Sequence, residues 1–284
     1  MTPRARGIAL SIVSSFVMVL HDAISKLLIL TLGSGQILAL RCAIALPLVA
    51  LIAHGLGQLR QMMPRTPRLF MARGMISLAA SLMIIWSLTV VPFAEAVVLI
   101  SSAPIFTCFL SPLLLGERAS AREWLAVAIG FLGAVLIVKP LGASFTWASL
   151  LPLAAATVLA CQDLLTRYAV RTESGLSLLT ATLLMTSLGG AAFGLVEGFT
   201  APSAIGWLLL IGAGGLAAIG FLTQILAFKV LTATELAPLR YTALVWAVLL
   251  GWILWSEFPD LLSLIGGVLV VIAGLMVIKA PAQR

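Results

Sequence analysis

Ten runs of apolar residues, most of them about twenty long, fill this sequence and leave only short stretches of glycine, proline or charge between them. They fall at about 7–30, 35–54, 70–90, 94–115, 122–139, 146–166, 176–196, 204–228, 235–255 and 261–279. Roughly twenty apolar residues are what a helix needs to cross the hydrocarbon of a bilayer. Lipid offers no partner for an open backbone group, so such runs must be helices, and they lack the alternation of a membrane barrel. With 62% hydrophobic and 10% charged residues, too few polar side chains exist to clothe a soluble fold. The expected fold is an all-α polytopic membrane protein with ten transmembrane helices.

The formal charge of +7 could suggest nucleic acid, but the basic residues sit in the short connections, where membrane topology accounts for them. Arg4 and Arg6, Arg60, Arg65, Arg68 and Arg73, Arg118 and Arg122, Arg167 and Arg171, Lys229, Lys279 and Arg284 gather on the side of the N-terminus. Lys139 and Lys26 lie opposite. The positive-inside rule then puts both termini in the cytoplasm of a bacterial-type inner membrane. The first run is a span and not a cleaved leader, because Val19 to Ala23 offers no small-x-small site. Cys42, Cys108 and Cys161 lie in apolar runs and read as packing residues.

Self-comparison divides the chain in two. A shift of 140 places Glu95 on Glu235 and Glu117 on Glu257, and a shift of 141 places Asp22-x-x-Ser25-Lys26 on Asp163-x-x-Thr166-Arg167. The expected halves are 1–140 and 141–284, each with five helices. Five is odd, so the second copy enters the membrane from the other side, which makes a 5+5 inverted repeat of the kind found in secondary transporters. Two inverted halves can exchange roles, giving outward-open and inward-open states of similar energy.

Charges inside spans are costly and need a partner, a wet cavity or a function. Asp22 and Lys26, spaced i,i+4, share a helix face and are expected to border a substrate cavity with Arg41. Arg240, Tyr241 and Trp246 in the ninth run suit an anionic or planar solute, since a guanidinium can bind a carboxylate bidentately and stack on a ring. His21, Glu95, Asp163, Arg167 and Glu235 are coupling or gating candidates, the two glutamates with helix capping as the plainer role. Pro104 and Pro238 do not coincide under the 140 shift, so a symmetric pair of broken helices is not expected.

Ala94-Glu95-Ala96 through Ser101-Ser102-Ala103-Pro104, ending in Leu115-Gly116-Glu117-Arg118, resembles the fourth-helix signature of EamA-type members of the drug/metabolite transporter superfamily. Glu235-Leu236-Ala237-Pro238 to Ser256-Glu257-Phe258-Pro259 is similar to its second version. The resemblance implies a ten-helix metabolite transporter with a central site between the halves. Within that superfamily, aromatic amino acid exporters usually carry a Leu-Trp pair in the first helix, whereas Val17 to Asp22 holds none.

The expected function is secondary transport of a small organic metabolite, with riboflavin or a similar heteroaromatic ranked first, then S-adenosylmethionine, then an amino acid. No phosphate-binding loop and no HExxH motif occurs, so neither ATP-driven transport nor membrane-embedded catalysis is expected. No metal and no cofactor is implied. The expected partners are the solute and the lipid bilayer, with a homodimer left open and no nucleic acid.

Overall fold

The structure, a computed structural model, describes residues 2–90, 99–100, 102–117, 119–138, 150–255 and 261–278. Helices run over Pro3–Ile29 (α1), Ser34–Gly55 (α2), Pro67–Val90 (α3), Ala103–Leu115 (α4), Ala121–Val138 (α5), Leu150–Ala169 (α6), Gly175–Glu197 (α7) and Ala204–Phe228 (α8). A short α9 (Ala233–Leu236) passes through a 3-10 segment (Ala237–Tyr241) into α10 (Thr242–Trp255), and α11 is Leu261–Ile278. Among the described residues, α1, α2, α3, α6, α7 and α8 are long and apolar enough to cross a membrane. Leu51, Leu195, Val196, Leu208 and Ile253 stand more than three-fifths exposed on the outside of the bundle, a surface suited to lipid and unsuited to water.

The local sequence sets where helices begin. Thr2, Ser174 and Ser203 cap α1, α7 and α8 by accepting a hydrogen bond from the third residue on, and Thr232 with Glu235 forms a full capping box at α9. Gly116, at φ +70°, ends α4 in a left-handed turn that a side chain would strain.

The packing exchanges the two parts of the chain. Helix α1 packs on α8 as α3 packs on α6, α2 on α8 as α3 on α7, and α4 on α6 as α1 on α10, while α2 pairs with α7 and α5 with α11. A shift of five along the helix order turns each of these contacts into its partner when α9 and α10 are taken together. The α2–α7 pair is the tightest backbone approach. A Cβ at Gly35 would lie 2.4 Å from the Gly194 amide, and one at Gly190 would lie 2.7 Å from the Ala39 amide. Small residues permit such an approach, and dispersion between the helices then stabilises it where lipid removes the hydrophobic drive.

Carboxylates tie helix starts in one part to the other. Glu173, between α6 and α7, accepts from the amides of Arg65 and Thr66 ahead of α3. Glu197 at the end of α7 accepts from the Gly35 amide (2.7 Å) in the first turn of α2. Glu117, after α4, accepts from Arg167 Nε (2.9 Å) and from the Ala233 amide (3.2 Å). Each anion sits at the positive end of a helix dipole.

Two outcomes follow. Gly190→Leu should lower the melting temperature in detergent by several degrees, because overpacking costs about 1–3 kcal/mol against rigid backbone. Gly267→Ala, facing open space in α11, should leave it unchanged or raised, and equal effects from the two would refute the backbone contact. Burial pushes the Glu173 carboxyl up, but the Arg65 and Thr66 amides outweigh this and hold it below the ordinary carboxylate range. A lowered carboxylate pKa stabilises the fold above the unfolded value and loses that contribution as pH falls through the lower folded one. Melting measured from neutral pH into that acid range should therefore decline more in the native protein than in Glu173→Gln.

Candidate functional site

Two polar groups lie inside the bundle at positions that the internal repeat makes equivalent. His21, Asp22 and Ser25 on α1 correspond to Gln162, Asp163 and Thr166 on α6. Even the local bonding repeats: Ser25 Oγ donates to the His21 carbonyl (2.9 Å) and Thr166 Oγ1 to the Gln162 carbonyl (2.6 Å). A hydroxyl in a helix satisfies itself this way on the carbonyl one turn back.

In the α6 group, Asp163 is buried and its Oδ1 accepts from Arg240 Nη2 at 2.7 Å and from Gln224 Nε2 at 3.3 Å. The Asp163 side chain is 4% exposed and that of Arg240 is 25%, so the pair has one open side, at the guanidinium. Arg73 on α3 is buried and within electrostatic reach of both. It donates to Ser77 on its own helix, Ser77 lies 3.5 Å from Thr182 on α7, and Arg73 Nε has no hydrogen-bond partner among the described residues. A second guanidinium thus lies within electrostatic reach of the bonded Asp163–Arg240 pair, and the group carries surplus positive charge.

In the α1 group, Arg41 from α2 places Nη1 2.7 Å from His21 Nε2 and 3.1 Å from Ser25 Oγ, while His21 Nδ1 lies 2.9 Å from Asp22 Oδ1. His21 and Arg41 are buried, and the Asp22 side chain is half-exposed. Asp22 is thus engaged by the histidine next to it, and Lys26 is half-buried one turn on. Position 41 corresponds to Thr182 under the 141 shift, so the repeat supplies the scaffold and the two groups differ in side chains.

The hydroxyl bonding next to Arg240 also has a counterpart. Ser102 Oγ donates to the Leu99 carbonyl (2.6 Å) just before α4, and Thr242 Oγ1 donates to the Leu239 carbonyl (2.7 Å) at the first residue of α10. These residues superpose under the 140 shift. Pro104 and Pro238 flank these hydroxyls at different offsets, and residues 91–98 and 101 ahead of α4 lie outside the described residues.

The chain matches the EamA-like transporter family twice, over residues 5–139 and 146–279. It belongs to that family. The pseudopaline exporter of Pseudomonas aeruginosa strain UCBPP-PA14 is 30% identical over 278 residues, 94% of this chain and 94% of that protein. An S-adenosylmethionine uptake transporter of Rickettsia felis is 30% identical over 275 residues, 95% and 90% of the two chains. A riboflavin transporter of Brucella anthropi is 30% identical over 211 residues, 72% and 74%. A solved crystal structure shares the fold at TM-score 0.81 and 19% identity, covering 97% of this chain and 96% of that one. The protein is accordingly a multi-pass membrane transporter of the drug/metabolite superfamily and not an enzyme.

In this EamA-family chain the remaining expected site residues have other neighbours. The Tyr241 ring is fully buried against Gly130 on α5, where a Cβ would lie 2.4 Å from Cδ2, and it packs with Leu244. Trp246 meets Phe16 edge to face at 5.2 Å between centroids. Arg167 is held by Glu117 and the Phe228 carbonyl, and Glu235 by its capping box and Arg4 (3.2 Å). Glu95 lies outside the described residues.

Arg73, Gln224 and Ser25 escaped the sequence reading. Arg73 was counted among the topology charges, yet it follows Pro67 by six residues, about 9 Å along the helix at 1.5 Å per residue. That depth was the available signal. Two cavities are formed at other places: one of about 420 Å³ lined by Arg60, Arg65, Arg171, Glu173 and Lys229, and an apolar one of about 310 Å³ beside Trp124 and Phe131. Neither of these cavities has Asp163 or Arg41 in its lining.

Removing one partner of a buried ion pair costs about 3–5 kcal/mol. Asp163→Asn should therefore lower the melting temperature more than Arg240→Gln, since it strands Arg73 as well as Arg240. Equal losses would mean that Arg73 draws nothing from this carboxylate.

Proposed function

We propose that this chain is a ten-helix secondary transporter, two inverted five-helix repeats over 1–140 and 141–284, that moves a small organic metabolite across a bacterial-type inner membrane by alternating access. The exchange of helix contacts between the two parts supports the inverted repeat. The basic connections support cytoplasmic termini. The proposed substrate-binding residues are Asp163, Arg240 and Arg73, with Asp22 and Arg41 in the companion group and Lys26 beside it.

The observation that carries the reading is the Asp163–Arg240 pair, 2.7 Å apart, closed on the carboxylate side and open on the guanidinium side. A solute bearing a carboxylate and an ammonium can replace this pair with itself: its carboxylate meets Arg240 and Arg73, and its ammonium meets Asp163. Every buried charge keeps a partner while the internal bond is broken. That favours an amino-acid-bearing metabolite of the S-adenosylmethionine kind. A riboflavin-like heteroaromatic, first by sequence, becomes the second reading, because Tyr241 is engaged by Gly130 and Trp246 by Phe16. Glu117 with Arg167, joining the connection after α4 to α6, is the proposed gate at the N-terminal end.

Binding to the folded state alone stabilises it by mass action, by about 2.7 kcal/mol at a hundredfold excess over Kd, and so raises its melting temperature. S-adenosylmethionine should give a saturable shift and drive counterflow in proteoliposomes. Arg240→Ala should weaken both at least tenfold with the helical circular dichroism unchanged. A shift with riboflavin alone, or the same S-adenosylmethionine response in Arg240→Ala, would overturn the zwitterion reading.

A further inference from the structure

The α1 group contains a hydrogen-bond chain whose proton placement is fixed by chemistry. A guanidinium has five N–H donors and no acceptor. His21 Nε2, 2.7 Å from Arg41 Nη1, must therefore accept and carries no proton. The single ring proton sits on Nδ1 and is donated to Asp22 Oδ1 at 2.9 Å. The ring is neutral and bridges a cation on α2 to a carboxylate on its own helix.

A proton on Nε2 would set one N–H against another at this contact. Proton and guanidinium are thus alternative occupants of the same lone pair. Building on the transporter reading, we propose that His21 Nε2 is a proton-coupling site, and that its protonation releases the Arg41 guanidinium to an anionic group of the transported solute.

The balance is simple. With the Arg41 contact made, Arg41 (+1), neutral His21 and Asp22 (−1) sum to zero, and Lys26 one turn on carries the same charge in both protonation states of His21. One proton taken from water makes His21 an imidazolium held by Asp22, and leaves Arg41 on Ser25 Oγ with its positive charge uncompensated. Arg41 Nε, buried and without a partner among the described residues, is a further donor for an incoming anion. The proton and the anionic group then bind together and restore neutrality, so solute and proton travel in the same direction. Access for the proton runs along Asp22, whose side chain is 53% exposed while that of His21 is 2% exposed.

The charged surroundings are few. On α1, Asp22 contacts the ring and Lys26 lies one turn away. On α2, Arg41 contacts it and His54 lies in the last turn, at the other end of the helix. Helices α8 (Ala204–Phe228) and α10 (Thr242–Trp255), which also pack on α1, contain no charged residue in their sequences. Arg240, in the 3-10 segment against α1, is held by Asp163. Protonation of His21 is therefore felt chiefly by Arg41 and Asp22.

The chain has two histidines, so His54→Gln leaves His21 as the sole ring to observe. In the full-length His54→Gln protein in lipid nanodiscs, nitrogen-15 histidine spectra should show the neutral Nδ1–H tautomer at neutral pH. A second proton should appear when the sample is acidified to about pH 5, together with loss of the coupling to Arg41. The Nε2–H tautomer, or a ring still neutral at the acid end, would overturn the proposal whatever the solute. In proteoliposomes, with S-adenosylmethionine as probe, acid outside should accelerate uptake several-fold over equal pH. His21→Gln should bring that ratio close to one, and a native ratio in this variant would also overturn it. Absence of S-adenosylmethionine counterflow in the native protein would count against the substrate reading alone, because the spectra decide His21 independently.

Discussion

A charge placed inside a membrane helix bundle has no water to fall back on, and an unpaired one costs several kcal/mol in a hydrocarbon surround. The buried part of this protein follows from that constraint. Asp163 binds Arg240 and Gln224, Arg41 binds His21 and Ser25, and the hydroxyls of Ser25 and Thr166 turn back onto their own helices. At the helix ends, Glu117, Glu173 and Glu197 supply the missing partners for amides that begin α9, α3 and α2. The bonds of these three glutamates also join the first part of the chain to the second, whereas the aspartate and arginine groups are satisfied within their own parts.

A repeated scaffold holds unlike side chains. Asp22 and Asp163 are equivalent by position, but one is half-exposed against a histidine and the other is buried between an arginine and a glutamine. The arginine beside Asp22 comes from α2, whereas the arginines around Asp163 come from α3 and from the 3-10 segment before α10. In this reading the symmetric backbone allows two access states of similar energy, and the asymmetric charges assign separate tasks, solute at Asp163 and proton at His21. Ser102 and Thr242, one in each half, bond back to carbonyls at equivalent positions, so the local backbone bonding repeats where the side chains around the two aspartates do not.

Sequence periodicity conveyed the helices well, because lipid makes a span announce itself by length and hydrophobicity alone. It conveyed Asp163 and Arg240 as individuals too, since a charge in an apolar run stands out. It could not pair them: seventy-seven residues separate the partners, and no spacing rule reaches across helices. Arg73 went unrecognised because a basic residue near a helix start reads as topology, and its burial appears only when α6 and α7 cover α3. Tyr241 shows a second limit. Its chemistry suits stacking on a solute, but the missing side chain at Gly130 makes a slot that the ring fills.

The sequence by itself determined the solvent of this protein, the helical class, the twofold internal repeat and the inventory of charges that must be satisfied inside. These are properties of single segments or of two segments compared, so composition and alignment suffice. Only the tertiary structure decided who meets whom: His21 with Arg41, Asp163 with Arg240, Glu117 with Arg167, and the tyrosine ring with a glycine. A charge in a span dictates that some partner exists, and the energy of the pair depends on distances of a few ångströms. Those distances are set by how helices pack, which no one segment contains.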